Sequence, residues 1–144
     1  MKSLLLERYY PYFLAGVGTL AWYKFGQVFA VDAQSFLSAA LGLSGTILGF
    51  LATAQSILMA LPSDSVMGQL KRSGYIDDLV RYLRESLYVL AAYAAWNLYG
   101  FAVVEPKSNA LPLWYRTTWI ALAIVSAASF HRVTEIVLRI MKRR

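Results

Sequence analysis

Cysteine is absent from this 144-residue chain, and histidine occurs once. The first absence excludes disulfides, thiol catalysis and thiolate metal sites. The second excludes a histidine-rich metal centre within one chain. Charge is scarce too: Asp, Glu, Lys and Arg make up 15% against 58% apolar residues, the profile of a membrane chain rather than a soluble one. No P-loop, GxSxG or HExxH pattern occurs, and no acidic pair falls inside the apolar runs. No enzyme activity, cofactor or metal is therefore expected.

What is present is centred on Ser35 to Leu61, an uncharged run of 27 residues. A bilayer span needs about 20. Within it Ser35, Ser38, Gly42, Gly45, Gly49, Ala52 and Ser56 recur at alternating spacings of three and four. All are small, and Gly45 and Gly49 form a GxxxG pair. In lipid, Leu against Leu gains little over Leu against acyl chains, so helices associate where small residues let backbones approach. The expectation is that Ser38, Gly42, Gly45, Gly49, Ala52 and Ser56 are a helix-packing seam. It would join the spine to its own chain or, as the second choice, to the same helix of a neighbour.

The chain is read as one transmembrane domain over 1–144: an all-α, integral membrane four-helix bundle. Spans are predicted at about 11–31, 35–61, 84–104 and 112–131, with an amphipathic cytoplasmic loop over 62–83 and a cytoplasmic tail over 132–144. Pro11 suits the first helical position of span one. Glu7, Arg8 and Lys24 interrupt what a cleaved signal would keep apolar, so the N-terminal run is read as retained. After Pro62, Ser63-Asp64-Ser65 reads as a helix cap and Val66 to Lys71 as a short amphipathic piece. A helix then begins near Ile76, with Asp77–Arg81 and Arg81–Glu85 at ion-pair spacing.

The formal charge of +6 raises nucleic acid as a partner. Its distribution argues otherwise. Lys2, Arg8, Lys71, Arg72, Arg81, Arg84, Arg132, Arg139, Lys142, Arg143 and Arg144, eleven of the fourteen basic residues, fall on one side of a four-span topology. The positive-inside rule puts that side, and both termini, in the cytoplasm. Lys71, Arg72, Arg81, Arg84, Arg139 and Lys142 are accordingly candidates for docking a cytoplasmic partner or anionic lipid.

Lys24 lies inside the first predicted span, where a charge costs several kcal/mol unless it snorkels, pairs or meets water. Either it snorkels beside Trp22 and Tyr23, or it joins Asn97, Glu105 and Arg116 in a polar cluster lining a pore. Gln55 on the spine is expected to make an ordinary interhelical hydrogen bond. His131 and Glu135, one turn apart, read as a local contact. The first span carries no carboxylate, which argues against proton antiport of the small multidrug resistance type.

Gly45-Thr46-Ile47-Leu48-Gly49-Phe50-Leu51-Ala52-Thr53-Ala54-Gln55-Ser56-Ile57-Leu58, followed by Leu70-Lys71-Arg72-Ser73-Gly74-Tyr75, resembles a loosely defined group of small bacterial four-span membrane proteins. Some of these resemble membrane effectors or accessory subunits of phage-defence systems. The resemblance implies an inner-membrane location and an antiviral role through membrane disruption; it carries over no functional residue. The expected function is an oligomeric inner-membrane effector or channel. The alternatives are a non-conducting adaptor that docks a cytoplasmic protein and, third, a small-solute transporter. The expected partners are the lipid bilayer, copies of the same chain and a cytoplasmic protein.

Overall fold

In a computed structural model, residues 3–60 and 75–142 are described, with side chains over 9–57, at 60 and over 79–138. They form four helices: α1 (Ser3–Lys24), α2 (Ala33–Ala60), α3 (Tyr75–Val103) and α4 (Leu113–Lys142). Local chemistry marks their ends. Helix α1 stops at Lys24 because the chain turns through Gly26 at φ 122° and Gln27 at φ 54°, left-handed backbone that glycine adopts without strain. Helix α2 starts on Asp32, whose carboxylate accepts the Ser35 N–H at 3.1 Å and the Ser35 hydroxyl at 2.6 Å. This is the chemistry of an N-cap. The Asn109 side-chain amide donates to the same carboxylate at 2.8 Å, tying the α3–α4 loop to the start of α2.

Neighbours in space follow the order α2, α3, α4, α1. The helices alternate in direction. The N-terminal end of α1, the start of α3 and the end of α4 therefore gather at one end of an open bundle. Residues 25–32 and 104–112 gather at the other. Residues 25–32 carry the chain from α4's outer side to the far side of α3. On the way Phe29 meets Phe36 and Trp119 edge-on, with ring centroids 5.1 and 5.4 Å away.

The core has two parts. Towards the first end, Leu51, Leu79, Leu83, Leu90, Val133 and Ile136 pack with Tyr82. Towards the second, Leu37, Leu111, Tyr115 and Trp119 pack with Ala33 and Val104. On α2 the contributing positions are Leu37, Ser44 and Leu51, with Ile47 and Leu48 beside them. Leu37 and Leu51 are seven-residue steps either side of Ser44, so one heptad face of α2 meets α3.

That face is not the one expected. Ser38, Gly42, Gly45, Gly49, Ala52 and Ser56 are all exposed. A Cβ built on Gly42, Gly45 or Gly49 would find no atom within 4 Å. Among the described residues, then, the seam packs against nothing in its own chain. The physical reason is competition between two faces of one helix: α3 presents Leu79, Leu83, Leu87 and Leu90, and these interdigitate with the Leu and Ile positions of α2. On α3 the small residues Ala91, Ala94 and Ala95 read in sequence as a face that could receive the spine; Ala91 and Ala95 are exposed and Ala94 is half-buried.

Helices α2, α3 and α4 contain stretches long and apolar enough to cross a membrane, at Ala33–Ile57, Leu79–Val103 and Leu113–Leu138. Among the described residues α1 is not one of these. Tyr9, Tyr10 and Tyr12 dilute its apolar run. The span expected over 11–31 is corrected in its bounds too, since the helix covers Ser3–Lys24 and Pro11 lies inside it. Helix α2 lies within two residues of the run expected over 35–61, α3 starts at Tyr75 beside the helix start expected near Ile76, and α4 runs eleven residues past the expected span end at 131. The expected cap at Ser63–Ser65 and the piece from Val66 to Lys71 lie outside the described residues.

Candidate functional site

The polar residues singled out in the sequence are not brought together. Lys24 is exposed at the last turn of α1, where its charge faces the negative end of that helix. Glu105 sits in the α3–α4 loop and accepts the Ser108 hydroxyl at 2.6 Å. Asn97 is wholly buried. Its carbonyl oxygen accepts the Trp119 indole N–H at 2.8 Å, and its amide donates to the Tyr93 carbonyl at 2.8 Å. Arg116 is half-buried, and its Nε has no hydrogen-bond acceptor. Gln55 is half-buried near the other end of α2. No ion pair or hydrogen bond links any two of these residues.

Asn97 instead holds together a ring of aromatics. Trp119 lies 4.9 Å from Phe36 and 5.4 Å from Tyr93, centroid to centroid. Tyr115 stacks on Trp96 at 5.3 Å and donates its hydroxyl to the Trp96 carbonyl at 2.6 Å. Every strong donor and acceptor of Asn97 is directed at protein, which is the condition for a polar group to sit in an apolar core at little cost. Its role is to fix α3 against α4.

The arrangement that sequence reading missed lies at the opposite end. Arg132 of α4 is buried, with a side chain 2% exposed, and its Nη2 donates to Glu85 Oε2 of α3 at 2.9 Å. The Arg132 guanidinium carbon lies 4.3 Å over the Tyr82 ring, within cation–π range. Glu85 Oε1 accepts the Tyr12 hydroxyl of α1 at 2.7 Å. Next to Glu85 in sequence, the buried Ser86 hydroxyl donates to the Ser129 carbonyl at 3.0 Å. Helices α1, α3 and α4 are thus joined through a single carboxylate. The sequence spacing pairs Glu85 with Arg81 and places Arg132 in the cytoplasmic tail over 132–144; the structure pairs the two with each other instead. A signal was available: Arg132 stands one turn before Ile136 and one turn after Ser129, on the stripe that faces α3.

A cleft of about 680 Å3 opens beside this ion pair, between α1 and α3. Tyr9, Tyr12, Arg81, Tyr82, Arg84, Glu85 and Tyr88 line it. Arg81 and Arg84 are exposed and make no ion pair or hydrogen bond among the described residues. Because Arg132 neutralises Glu85, the net charge of the described lining is that of these two guanidiniums; the side chain of Asp77, the expected partner of Arg81, lies outside the described residues. Among the described residues no group of three or more His, Cys, Asp or Glu comes together to hold a metal. His131 and Glu135 are exposed and 3.9 Å apart, a local contact. Lys71 and Arg72 lie outside the described residues, as do the side chains of Arg139 and Lys142.

The chain was compared with known proteins at three levels, and no family model, no curated protein and no solved structure matches it.

Proposed function

We propose that this chain is an integral membrane subunit that works by assembling with copies of itself along α2. The observation that carries the reading is the exposed face of α2. The small-residue groove runs from Ser38 to Ser56, about 27 Å at ~1.5 Å per residue, nearly the full hydrocarbon thickness of ~30 Å. Beside it Leu43, Phe50 and Ile57 stand 64, 66 and 58% exposed at heptad spacing. A groove of small residues flanked by a heptad ridge is self-complementary: the ridge of one copy fits the groove of the next. The hydroxyls of Thr46, Thr53 and Ser56 donate to carbonyls one turn back, at 2.8–2.9 Å. The groove therefore needs no water and can meet another backbone in lipid.

Embedding in a membrane is supported by how little of each apolar stretch the fold covers. Only 17, 28 and 33% of the candidate spans is buried. In water a surface carrying Phe13, Leu20, Phe50 and Leu98 in the open would associate non-specifically. The charge asymmetry supports an orientation with both termini cytoplasmic, and the resemblance described above points to a bacterial inner membrane. On this reading the protein is an effector that perturbs the bilayer when copies gather, as its resemblance to phage-defence membrane effectors implies. Any conducting path lies between copies, because Asn97 is enclosed and spends its hydrogen bonds within the chain.

The lack of cysteine makes the test clean. Thr46→Cys is expected to give oxidative dimers in membranes, while Val17→Cys on the exposed face of α1 does not. Gly45→Leu with Gly49→Leu in the Thr46→Cys background abolishes the dimer and, in liposomes, the dye release of the parent. Equal cross-linking from Val17→Cys, or dimers that survive the double leucine change, would overturn self-association through α2.

A further inference from the structure

The cleft between α1 and α3 lies at a defined depth. About 28 Å of α4 separates Leu113 from Arg132, at ~1.5 Å per residue, close to one hydrocarbon thickness of ~30 Å. Glu85 pairs with Arg132 and sits at the same level. The cleft is therefore at a hydrocarbon boundary if Leu113 marks the other one. Four of its lining residues are tyrosines, Tyr9, Tyr12, Tyr82 and Tyr88, the side chain that collects at headgroup level.

One exposed face of α3 runs inward from the cleft: Arg81, Arg84, Tyr88, Ala91, Ala95 and Leu98 at spacings of three and four. Read from the end of the bundle towards its middle, this face offers two cations, an aromatic hydroxyl, then a smooth strip of alanine and leucine. An anionic lipid has the same order of chemistry, phosphate first and acyl chain after. Arg is suited to phosphate because its planar fork donates two parallel hydrogen bonds. The Arg132–Glu85 pair serves the cleft in two ways. It cancels the carboxylate that would repel a phosphate, and it holds Tyr12 and Tyr82 as walls.

We propose that this cleft seats the phosphate headgroup of one anionic phospholipid, held by Arg81 and Arg84, with an acyl chain along Ala91 and Ala95. The inference rests on the membrane reading above and goes beyond it, since it names a stoichiometric lipid site rather than diffuse adsorption. The direct test is native mass spectrometry of the whole protein in detergent, titrated with phosphatidylglycerol, with phosphatidylcholine and with inorganic phosphate. One phosphatidylglycerol is retained per chain, phosphatidylcholine is not, and excess phosphate does not displace the lipid. Arg81→Gln and Arg84→Gln each weaken retention about 5-fold, and the pair about 25-fold, from the usual worth of a basic residue at an anionic surface. Lys107→Gln, the same charge change at the other end, leaves retention unchanged.

Both arginines are exposed, so their replacement empties no core. Equal retention of the two lipids, wild-type retention by the double variant, or an equal loss in Lys107→Gln would each overturn the site. Displacement by inorganic phosphate would reassign the cleft to a soluble phosphate compound and overturn the lipid. An alkaline wash of membranes separates the two levels: wild type and double variant both stay in the pellet. Release of the wild type would remove the membrane reading itself, whatever the titration shows.

Discussion

Changing Glu85 to Gln isolates the charge of the three-helix junction from its shape. Glutamine keeps an acceptor for the Tyr12 hydroxyl, now 2.7 Å from the carboxylate. It removes the negative charge opposite an Arg132 side chain that is 2% exposed. A buried ion left without its partner costs about 3–5 kcal/mol. The Tyr82 face, 4.3 Å away, still stabilises the cation, by about 0.5–2 kcal/mol. Glu85 is 24% exposed, so water relieves part of the loss. The expected cost is about 3 kcal/mol, which for a chain of this size lowers the melting temperature by roughly 6–12 °C. Arg132→Met alone costs less, because the remaining carboxylate reaches water. The double variant loses less than the sum, with a coupling of about 1–3 kcal/mol. Thermal melts of the four proteins in one detergent supply the cycle. If Glu85→Gln melts within about 1 °C of the parent, or the two changes add, the junction is ornamental and the reasoning fails.

Other outcomes follow from the same contacts. Asn97→Leu leaves the buried Trp119 indole without its acceptor and costs about 1–3 kcal/mol, with a shift of Trp119 emission to confirm the locus. Gly100→Ala places a Cβ 2.8 Å from Leu37 Cδ1, so overpacking is expected, about 1–3 kcal/mol by melting. Gly45→Ala meets open space and leaves the melting temperature of the separated subunit unchanged or raised, since alanine favours helix by up to ~1 kcal/mol. The Ser35 hydroxyl, then the Ser35 N–H and the Asn109 amide, hold the Asp32 carboxyl below the usual carboxylate range. A carboxylate stabilised in the fold contributes fully above its unfolded value near 4 and loses that contribution as pH falls through the lower folded value. Melts at pH 5 and below pH 4 should therefore show an acid-sensitive step that Asp32→Asn removes; identical profiles would count against the cap.

The helices were legible because apolar runs of this length leave few alternatives. The continuous extension of α3 to Tyr75 was readable from the apolar face of Leu79, Val80, Leu83 and Leu87. What misled the reading was treating small residues as the sole means of packing in lipid. Leu37, Leu51 and their neighbours on α3 pack well enough to decide the interior, and the glycine stripe was left outside. The polar residues misled it differently. Asn97 and Lys24 were grouped by depth, a coordinate the sequence supplies, but contact needs the rotation of each helix as well. Arg132 shows the converse: its rotation was readable from Ser129 and Ile136, but a basic residue near a helix end was assumed to face outward. The Tyr12 contact was beyond reach, since it required the neighbour order α2, α3, α4, α1.

That neighbour order has a consequence for synthesis. Of the four helices, the one made earliest docks against the one made latest: Tyr10 of α1 donates its hydroxyl to the Ala128 carbonyl of α4 at 2.7 Å. At ~5–20 residues per second, roughly 6–24 s of translation separates the end of α1 from the end of α4. Through that interval α1 lacks its main neighbour, with the Tyr12 bond to Glu85 of α3 a polar tie to the helices already made, and among the described residues it is the helix without a stretch apolar enough to span. A chain stopped short of α4 therefore leaves α1 without its principal packing surface for the cell's quality control to find.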